Sequence, residues 1–248
     1  MKRVGFGRIA EVYDDTRELP KDASESVINA LCEEFGDHGT VLDVGSGTGR
    51  FAIPLSRRGL SIVGIDISIS MLEASRRKGF SNFVRADSSR MPFRDAAFDF
   101  ALAVHIFHLL EDWAVTLSEV TRVVKDSLLS VVIKNETKWF GDNYHDMLRE
   151  KGYDKDHPGI GEKGLAEKVE PDMTKTVASV SRTHPADQVI DRLETRCFSS
   201  QWEVPEALHN AVIAEMREKY SGQVFENRYD VLIHRWELRN LSELSRSR

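Results

Sequence analysis

Glycines that alternate with small residues directly after an acid are the strongest chemical signal in this 248-residue chain. Gly45, Gly47 and Gly49 follow Asp43, which lies near the end of the apolar run 41–44. Glycine lets a loop adopt positive φ and lets a ligand approach the backbone closely. A strand that ends in such a loop and leads into a helix is typical of a nucleotide or nucleoside site.

The spacing of the glycines separates two kinds of nucleoside site. The dinucleotide fingerprint requires glycines at offsets zero, two and five. The third of these positions is Arg50 in this chain, and the loop follows the pattern G-x-G-x-G instead. The spacing therefore argues against the dinucleotide form of the site.

Two further acids follow short apolar runs. Asp66 closes the run 61–66, where a carboxylate is placed to accept two hydrogen bonds from ribose hydroxyls. That role suits a nicotinamide cofactor as well as an adenosyl one, and capping of the next helix is the structural alternative. Asp87 follows the run 82–86 and precedes Met-Pro-Phe at 91–93.

These acids need strands whose carboxyl ends meet at one edge of a sheet. Apolar runs predict such strands over 41–44, 61–66, 82–86, 98–104 and 128–133. Helical patterns over 23–35, 50–58, 68–78 and 112–124 alternate with them. Alternation of this kind predicts parallel strands with right-handed crossovers and a ligand at the strands' carboxyl ends.

The second half of the chain is less regular. Its residue patterns predict helices over 139–151, 185–196 and 205–220, strands over 176–181 and 229–238, and a loop over 152–171. We therefore expect an α/β fold with a doubly wound, seven-stranded, mostly parallel sheet and a small helical cap. The predicted division is an N-terminal helical segment 1–37 that covers the cofactor, a core 38–182, a cap insertion 183–226 and a returning strand 227–240.

Taken together, the loop and the acids resemble class I S-adenosylmethionine-dependent methyltransferases of the type 11 subgroup. The stretch 41–49 is similar to the first motif of that class. Asp87, the Met-Pro-Phe run and Asp99 resemble the subgroup's acid, Leu-Pro-Phe and fourth-strand aspartate. The resemblance covers residues 10–134 and departs at 124–128, where the family usually has Leu-Lys-Pro-Gly-Gly.

The resemblance also implies the cofactor, S-adenosylmethionine, and its ligands. Tyr13, in an N-terminal segment similar to the family's, is expected over the methionine moiety and Arg17 at its carboxylate. Asp66 is expected at the ribose and Asp87 at the adenine amino group. The complete set implied for the cofactor is Tyr13, Arg17, Asp43, Gly45, Gly47, Gly49, Asp66, Ile67, Asp87, Ser88 and His105.

No residue stands out as the catalytic base. His105 and His108 follow the fourth strand and are candidates for the methyl-transfer pocket, with packing as an equal alternative. Methyl transfer from a sulfonium is an in-line displacement, and it needs a base only when the acceptor is protonated. No residue spacing indicates a metal site.

Charge and hydropathy limit the partners. The net charge of −6 favours a small-molecule acceptor over a nucleic acid. No run reaches the ~20 apolar residues that cross a bilayer, and the first residues lack a signal-peptide core, so we expect a cytoplasmic protein without a membrane partner. The acceptor and the oligomeric state stay open. A nicotinamide-dependent oxidoreductase and a non-catalytic cofactor-binding protein are the alternative functions.

Overall fold

A single seven-stranded sheet organises the computed structural model, which describes residues 10, 13–17, 19–155 and 157–241. Parts of the predicted segment 1–37 (residues 1–9, 11, 12 and 18) lie outside this description. The strands are β1 Thr40–Val44, β2 Ser61–Asp66, β3 Phe83–Arg85, β4 Phe98–Ala103, β5 Val124–Asn135, β6 Met173–Pro185 and β7 Val224–Glu237.

The strand order is β3-β2-β1-β4-β5-β7-β6. The first five strands are parallel, and β7 lies antiparallel between β5 and β6. The predicted mostly parallel, doubly wound α/β sheet is therefore confirmed. The order reverses between β1 and β4, which creates the switch point at which such sheets bind ligands.

Helices cover both faces of the sheet. They are α1 Tyr13–Thr16, α2 Lys21–Phe35, α3 Ala52–Arg57, α4 Ile69–Arg77, α5 Trp113–Val123, α6 Asp142–Glu150, α7 Glu162–Lys168, α8 Ala186–Glu194 and α9 Glu206–Tyr220. Apolar residues of α2 and α3 pack on one face, and those of α5 and α7 pack on the other. Strands covered on both faces explain why the buried residues 41–44 of β1 are apolar apart from Asp43.

The opposite, amino-terminal edge of the sheet is held by Asp99. Its carboxylate accepts hydrogen bonds from the Thr40 amide and hydroxyl at 2.9 and 2.7 Å and from Lys125 at 2.7 Å. These contacts lower the pKa of Asp99 to about 2. The aspartate that contributes to the family resemblance therefore joins β1, β4 and β5 and lies away from the strands' carboxyl ends.

A separate apolar cluster forms the cap. It joins α8 and α9 to α6, and the Tyr144 hydroxyl lies 2.7 Å from His209 Nδ1 inside it. The cap therefore includes α6, which lies within the span 38–182 predicted as core. The hairpin of β6 and β7 connects the cap to the sheet because α8 and α9 lie between these two strands in the chain.

Strand β5 and helix α7 differ from the prediction. Strand β5 begins at Val124, directly after α5, and not at 128, because Val124 is buried and pairs with Phe98. Helix α7 lies within the predicted loop 152–171, where Leu165 is buried against the core although its helix is mostly polar. In both places tertiary burial overrides a weak local pattern.

Candidate functional site

The loop after β1 turns sharply at the switch point. Gly45, Gly47 and Gly49 all have positive φ, at 72°, 55° and 78°. The amides of Gly45 and Ser46 donate to the Ile65 carbonyl at 2.8 and 3.0 Å, which fixes the loop to the end of β2. Helix α3 begins only at Ala52, two residues later than predicted, so loop backbone rather than the helix end faces the switch point.

The three glycines have different surroundings. A Cβ on Gly45 would lie 2.8 Å from the Ile106 side chain, and one on Gly49 would lie 2.6 Å from the Ser75 hydroxyl. A Cβ on Gly47 would meet no atom closer than 3.8 Å. Gly49 thus permits close packing of α3 and α4, whereas Gly47 leaves room beside the Asp66 carboxylate.

Asp66 is fixed by two backbone amides. Its Oδ2 accepts from the Gly47 amide at 2.9 Å and its Oδ1 from the Ser68 amide at 2.8 Å. Burial raises the pKa of Asp66, and these hydrogen bonds oppose that rise. The carboxylate is therefore oriented at the cavity with lone pairs left for hydroxyl donors.

Asp43 lies deeper than Asp66 and is only 4% exposed. Burial is the main cause that raises its pKa to about 7, and the nearby Asp66 adds to the rise. A buried, perturbed carboxyl group in a cavity wall is a common property of functional sites.

A cavity of about 270 Å³ lies at the carboxyl ends of β1, β2, β3 and β4. Of the predicted cofactor ligands, the cavity wall contains Tyr13, Asp43, Gly45, Gly47, Asp66, Ile67 and His105. Arg17, Gly49, Asp87 and Ser88 are not in that wall. The wall also contains residues that the sequence did not suggest, among them Arg50, Ile69 and Arg85.

The cavity wall fits an adenosyl cofactor. Ile67 and Ile69 are 41% and 47% exposed and so offer apolar surface to a ligand. Asp66 supplies acceptors for sugar hydroxyls, and Arg50 supplies a cation for a carboxylate. The space beside Gly47 allows a ligand to approach this acid.

Helix α1 closes the cavity from one side. Asp14 accepts a hydrogen bond from the Thr48 hydroxyl at 2.5 Å and forms an ion pair with Lys78. These contacts attach α1 to the glycine loop and place Tyr13 in the cavity wall. Arg17 follows α1, with its guanidinium carbon 4.8 Å from the ring centroid of Phe198 in the cap.

The two candidate histidines lie in a loop held by α7. His105 has a positive φ of 57°, and its amide donates to Glu162 Oε1 at 2.6 Å. Burial is the main cause that lowers the pKa of His105 and of His108 to about 4 each. Both imidazoles are therefore neutral near pH 7. His105 lines the cavity, whereas His108 packs edge-on against His157 at 4.6 Å.

Asp87 bonds to its own turn. Its Oδ1 accepts from the Ser89 amide and hydroxyl at 2.9 and 2.8 Å. Ser88 lies 3.2 Å from the Thr116 hydroxyl. Arg85, two residues before Asp87, is the residue of this segment that lines the cavity.

Two residues of the site carry no clear sequence signal. Arg50 occupies the place of a fingerprint glycine, and only its positive charge next to the glycine loop indicates that it could face a ligand. Glu162 lies 57 residues from His105 in the chain and contacts it only through the fold. Among the described residues, no group of three or more His, Cys, Asp or Glu side chains is arranged to hold a metal ion.

An open sheet with a glycine loop and acidic strand ends at its switch point defines a Rossmann-like, nucleoside-binding protein. Residues 42–128 match the sequence model of the family described as "Methyltransferase domain". Residues 42–128 are therefore similar in sequence to a methyltransferase domain, in agreement with the resemblance to S-adenosylmethionine-dependent methyltransferases of the type 11 subgroup.

Similar proteins extend the comparison. An uncharacterized protein of Methanocaldococcus jannaschii is 25% identical over 77% of this chain and 91% of its own length. The malonyl-[acyl-carrier protein] O-methyltransferase of Serratia marcescens is 26% identical over 59% of this chain and 58% of its own. A solved SAM-dependent methyltransferase of Thermotoga maritima is 20% identical, with a TM-score of 0.54 over 94% of this chain and 97% of that one.

These matches differ in extent. The chain spans between a quarter and about three fifths of the length of several of the curated relatives that it matches. The structural likeness at this identity shows the fold alone. Among the described residues, no helix is both long and apolar enough to cross a bilayer.

Proposed function

We propose that this protein is an S-adenosylmethionine-dependent methyltransferase that acts on a small molecule. The observation that carries the proposal is the Asp66 carboxylate, which two loop amides orient at a cavity with apolar and cationic surfaces. The relatives named for methylation of malonyl-[acyl-carrier protein] and of demethylmenaquinone support a methyl-transfer activity.

We assign the chain's own residues the following roles. Asp66 binds the ribose, Ile67 and Ile69 contact the adenine, and Arg50 pairs with the methionine carboxylate. Tyr13 covers the methionine moiety. S-adenosylmethionine, when bound, supplies an electrophilic methyl group on a sulfonium. The protein orients the acceptor for in-line attack, which can contribute about 7–11 kcal/mol of barrier lowering.

Neutral His105 is the polar side chain of the cavity wall that we expect to face the acceptor. Its low pKa makes it a weak base, so we expect an acceptor that arrives in a nucleophilic form. The nicotinamide alternative lacks support, because Arg50 replaces the third fingerprint glycine and lines the cavity.

Calorimetry with S-adenosylhomocysteine tests this assignment. The wild type is expected to bind, and Asp66→Asn to bind at least tenfold more weakly, since hydrogen bonds to charged groups contribute about 1.5–3 kcal/mol. Asp37→Ala, at an exposed acid beyond α2, is the matched control and should bind like the wild type. Absence of binding to the wild type would refute the proposal, and binding without turnover across a broad acceptor panel would favour a non-catalytic role.

A further inference from the structure

Two arginines near the cofactor cavity, Arg50 in its wall and Arg17 outside it, form no ion pair with an acid among the described residues. Arg50 is in the cavity wall, with its guanidinium carbon 5.1 Å from the Phe51 ring centroid. Arg17 lies over Phe198 at 4.8 Å and over Tyr13 at 5.5 Å. Asp14 of α1 is bonded to Thr48 and Lys78, and its charge acts on Arg50 only at longer range.

Both positive charges act on the same space. They add to the effect of burial in lowering the pKa of His105, which lines the cavity. Arg50 is itself buried enough that its pKa is lowered. Guanidinium groups withdrawn from water are unfavourable unless an anion pairs with them, so this end of the cavity favours negatively charged ligands.

The cofactor accounts for only one of the two arginines. Its methionine moiety carries a single carboxylate, and Arg50 is the arginine that lines the cavity. Arg17 is placed further out, between α1 and the cap. A second anion can pair with Arg17 there, and the acceptor is the remaining molecule at the site.

The surroundings of Arg17 are aromatic. The Arg17 guanidinium lies over the rings of both Tyr13 and Phe198, and Phe198 packs edge-on against Trp139 at 5.5 Å. Phe198 and Trp139 are only partly buried at the border of the cap cluster. Such a surface suits a ligand with an apolar body next to its charged group.

We propose that the methyl acceptor is a small organic acid with an apolar body, and that Arg17 binds its carboxylate. A guanidinium matches a carboxylate through two parallel hydrogen bonds, which a neutral amide cannot reproduce. This inference rests on the proposed function, because it takes the cofactor to occupy the cavity and Arg50.

The test uses benzoate and benzamide as probes of equal shape and different charge. Each is titrated calorimetrically into the full-length protein saturated with S-adenosylhomocysteine. Benzoate is expected to bind at least tenfold more tightly than benzamide. Arg17→Gln should abolish this preference while it leaves the affinity for S-adenosylhomocysteine within about twofold, and Arg17→Lys should retain part of the preference. Arg57→Gln, at an exposed arginine that ends α3, is the charge-matched control.

Two results would overturn the inference. Equal binding of benzoate and benzamide would show that no anion site exists, and a tenfold loss of S-adenosylhomocysteine affinity in Arg17→Gln would place Arg17 at the cofactor instead. Failure of the wild type to bind S-adenosylhomocysteine is a different outcome, because it refutes the proposed function and the inference with it.

Discussion

The burial of Asp43 in the cavity wall makes the folded protein less stable when this carboxyl group is ionised. Its carboxyl group is buried, and burial raises its pKa in the folded protein from 3.8 to about 7. In the unfolded chain the same group ionises near its usual pKa. The folded state therefore binds more protons than the unfolded state between these values, and stability falls as pH rises through this window.

Replacement of Asp43 by asparagine removes this charge. The variant Asp43→Asn is expected to be more stable than the wild type, and we compare this gain in unfolding free energy at two pH values. The gain should be about 2–3 kcal/mol larger at pH 8 than at pH 5, since each pKa unit corresponds to about 1.4 kcal/mol. Denaturant unfolding of both proteins at the two pH values measures the difference. Titrating groups that do not interact with Asp43 cancel in it, whereas the neighbouring Asp66 contributes to it. An identical gain at both pH values would contradict the raised pKa.

At the residue level, sequence reasoning reached the acids and glycines but not their partners. Asp43 and Asp66 follow directly from strand ends. The position of Arg50 in the sequence argues against a dinucleotide site but does not indicate that Arg50 lines the cavity. Glu162 could not be predicted, because only the folded chain brings it to His105. The cofactor roles of Asp87 and Ser88 stay predictions, whereas we propose that Arg17 binds the acceptor rather than the cofactor.

The segment before and within α7 acts as a strap over the loop that carries the histidines. The Gly159 amide donates to the His108 carbonyl at 3.0 Å, and Glu162 accepts from the His105 amide. A Cβ on Gly159 would lie 2.0 Å from the Phe107 carbonyl oxygen and 2.4 Å from that of Leu110. Glycine is therefore required for this close approach of backbone to backbone.

We expect Gly159→Ala to displace the strap, with a loss of about 1–3 kcal/mol of unfolding free energy and weaker binding of S-adenosylhomocysteine. Gly161→Ala is the matched control: a Cβ there meets nothing within 4 Å and its φ of −73° suits any residue. Thermal unfolding and calorimetry of the two variants check the prediction. Equal stability of both variants would show that the backbone contact is not rigid.

Elements were predictable where their periodicity is strong. The sheet strands of the first half and helix α9 agree with the apolar pattern to within a few residues. Strand β5 is longer than predicted because its pairing with β7 extends to Asn135. The hairpin strands β6 and β7 are longer because their pairing extends through polar positions such as Arg182 and Asn227. Polar residues in a paired edge strand carry little strand signal.

At the scale of the whole molecule, the wall of the cofactor cavity joins parts of the chain that are distant in sequence. Helix α1 contributes Tyr13 and the sheet contributes the acids, while the cap lies beyond α1 and meets it through the contact of Phe198 with Arg17. A ligand that fills the cavity therefore contacts both α1 and the sheet. Binding to the folded state alone raises its stability by mass action.

This linkage predicts the response of the whole protein to ligands. At about one hundred times its dissociation constant, S-adenosylhomocysteine should stabilise the fold by about 2.7 kcal/mol, which raises the Tm of a chain of this size by roughly 5–10 °C. Differential scanning fluorimetry measures the shift. Adenosine should give a smaller shift at the same concentration because it leaves Arg50 unpaired, and the difference should become smaller in Arg50→Gln. NAD should change the Tm of the ligand-free protein by less than about 1 °C, since Arg50 occupies the position of the third fingerprint glycine. A shift with NAD as large as that with S-adenosylhomocysteine would instead support the nicotinamide alternative.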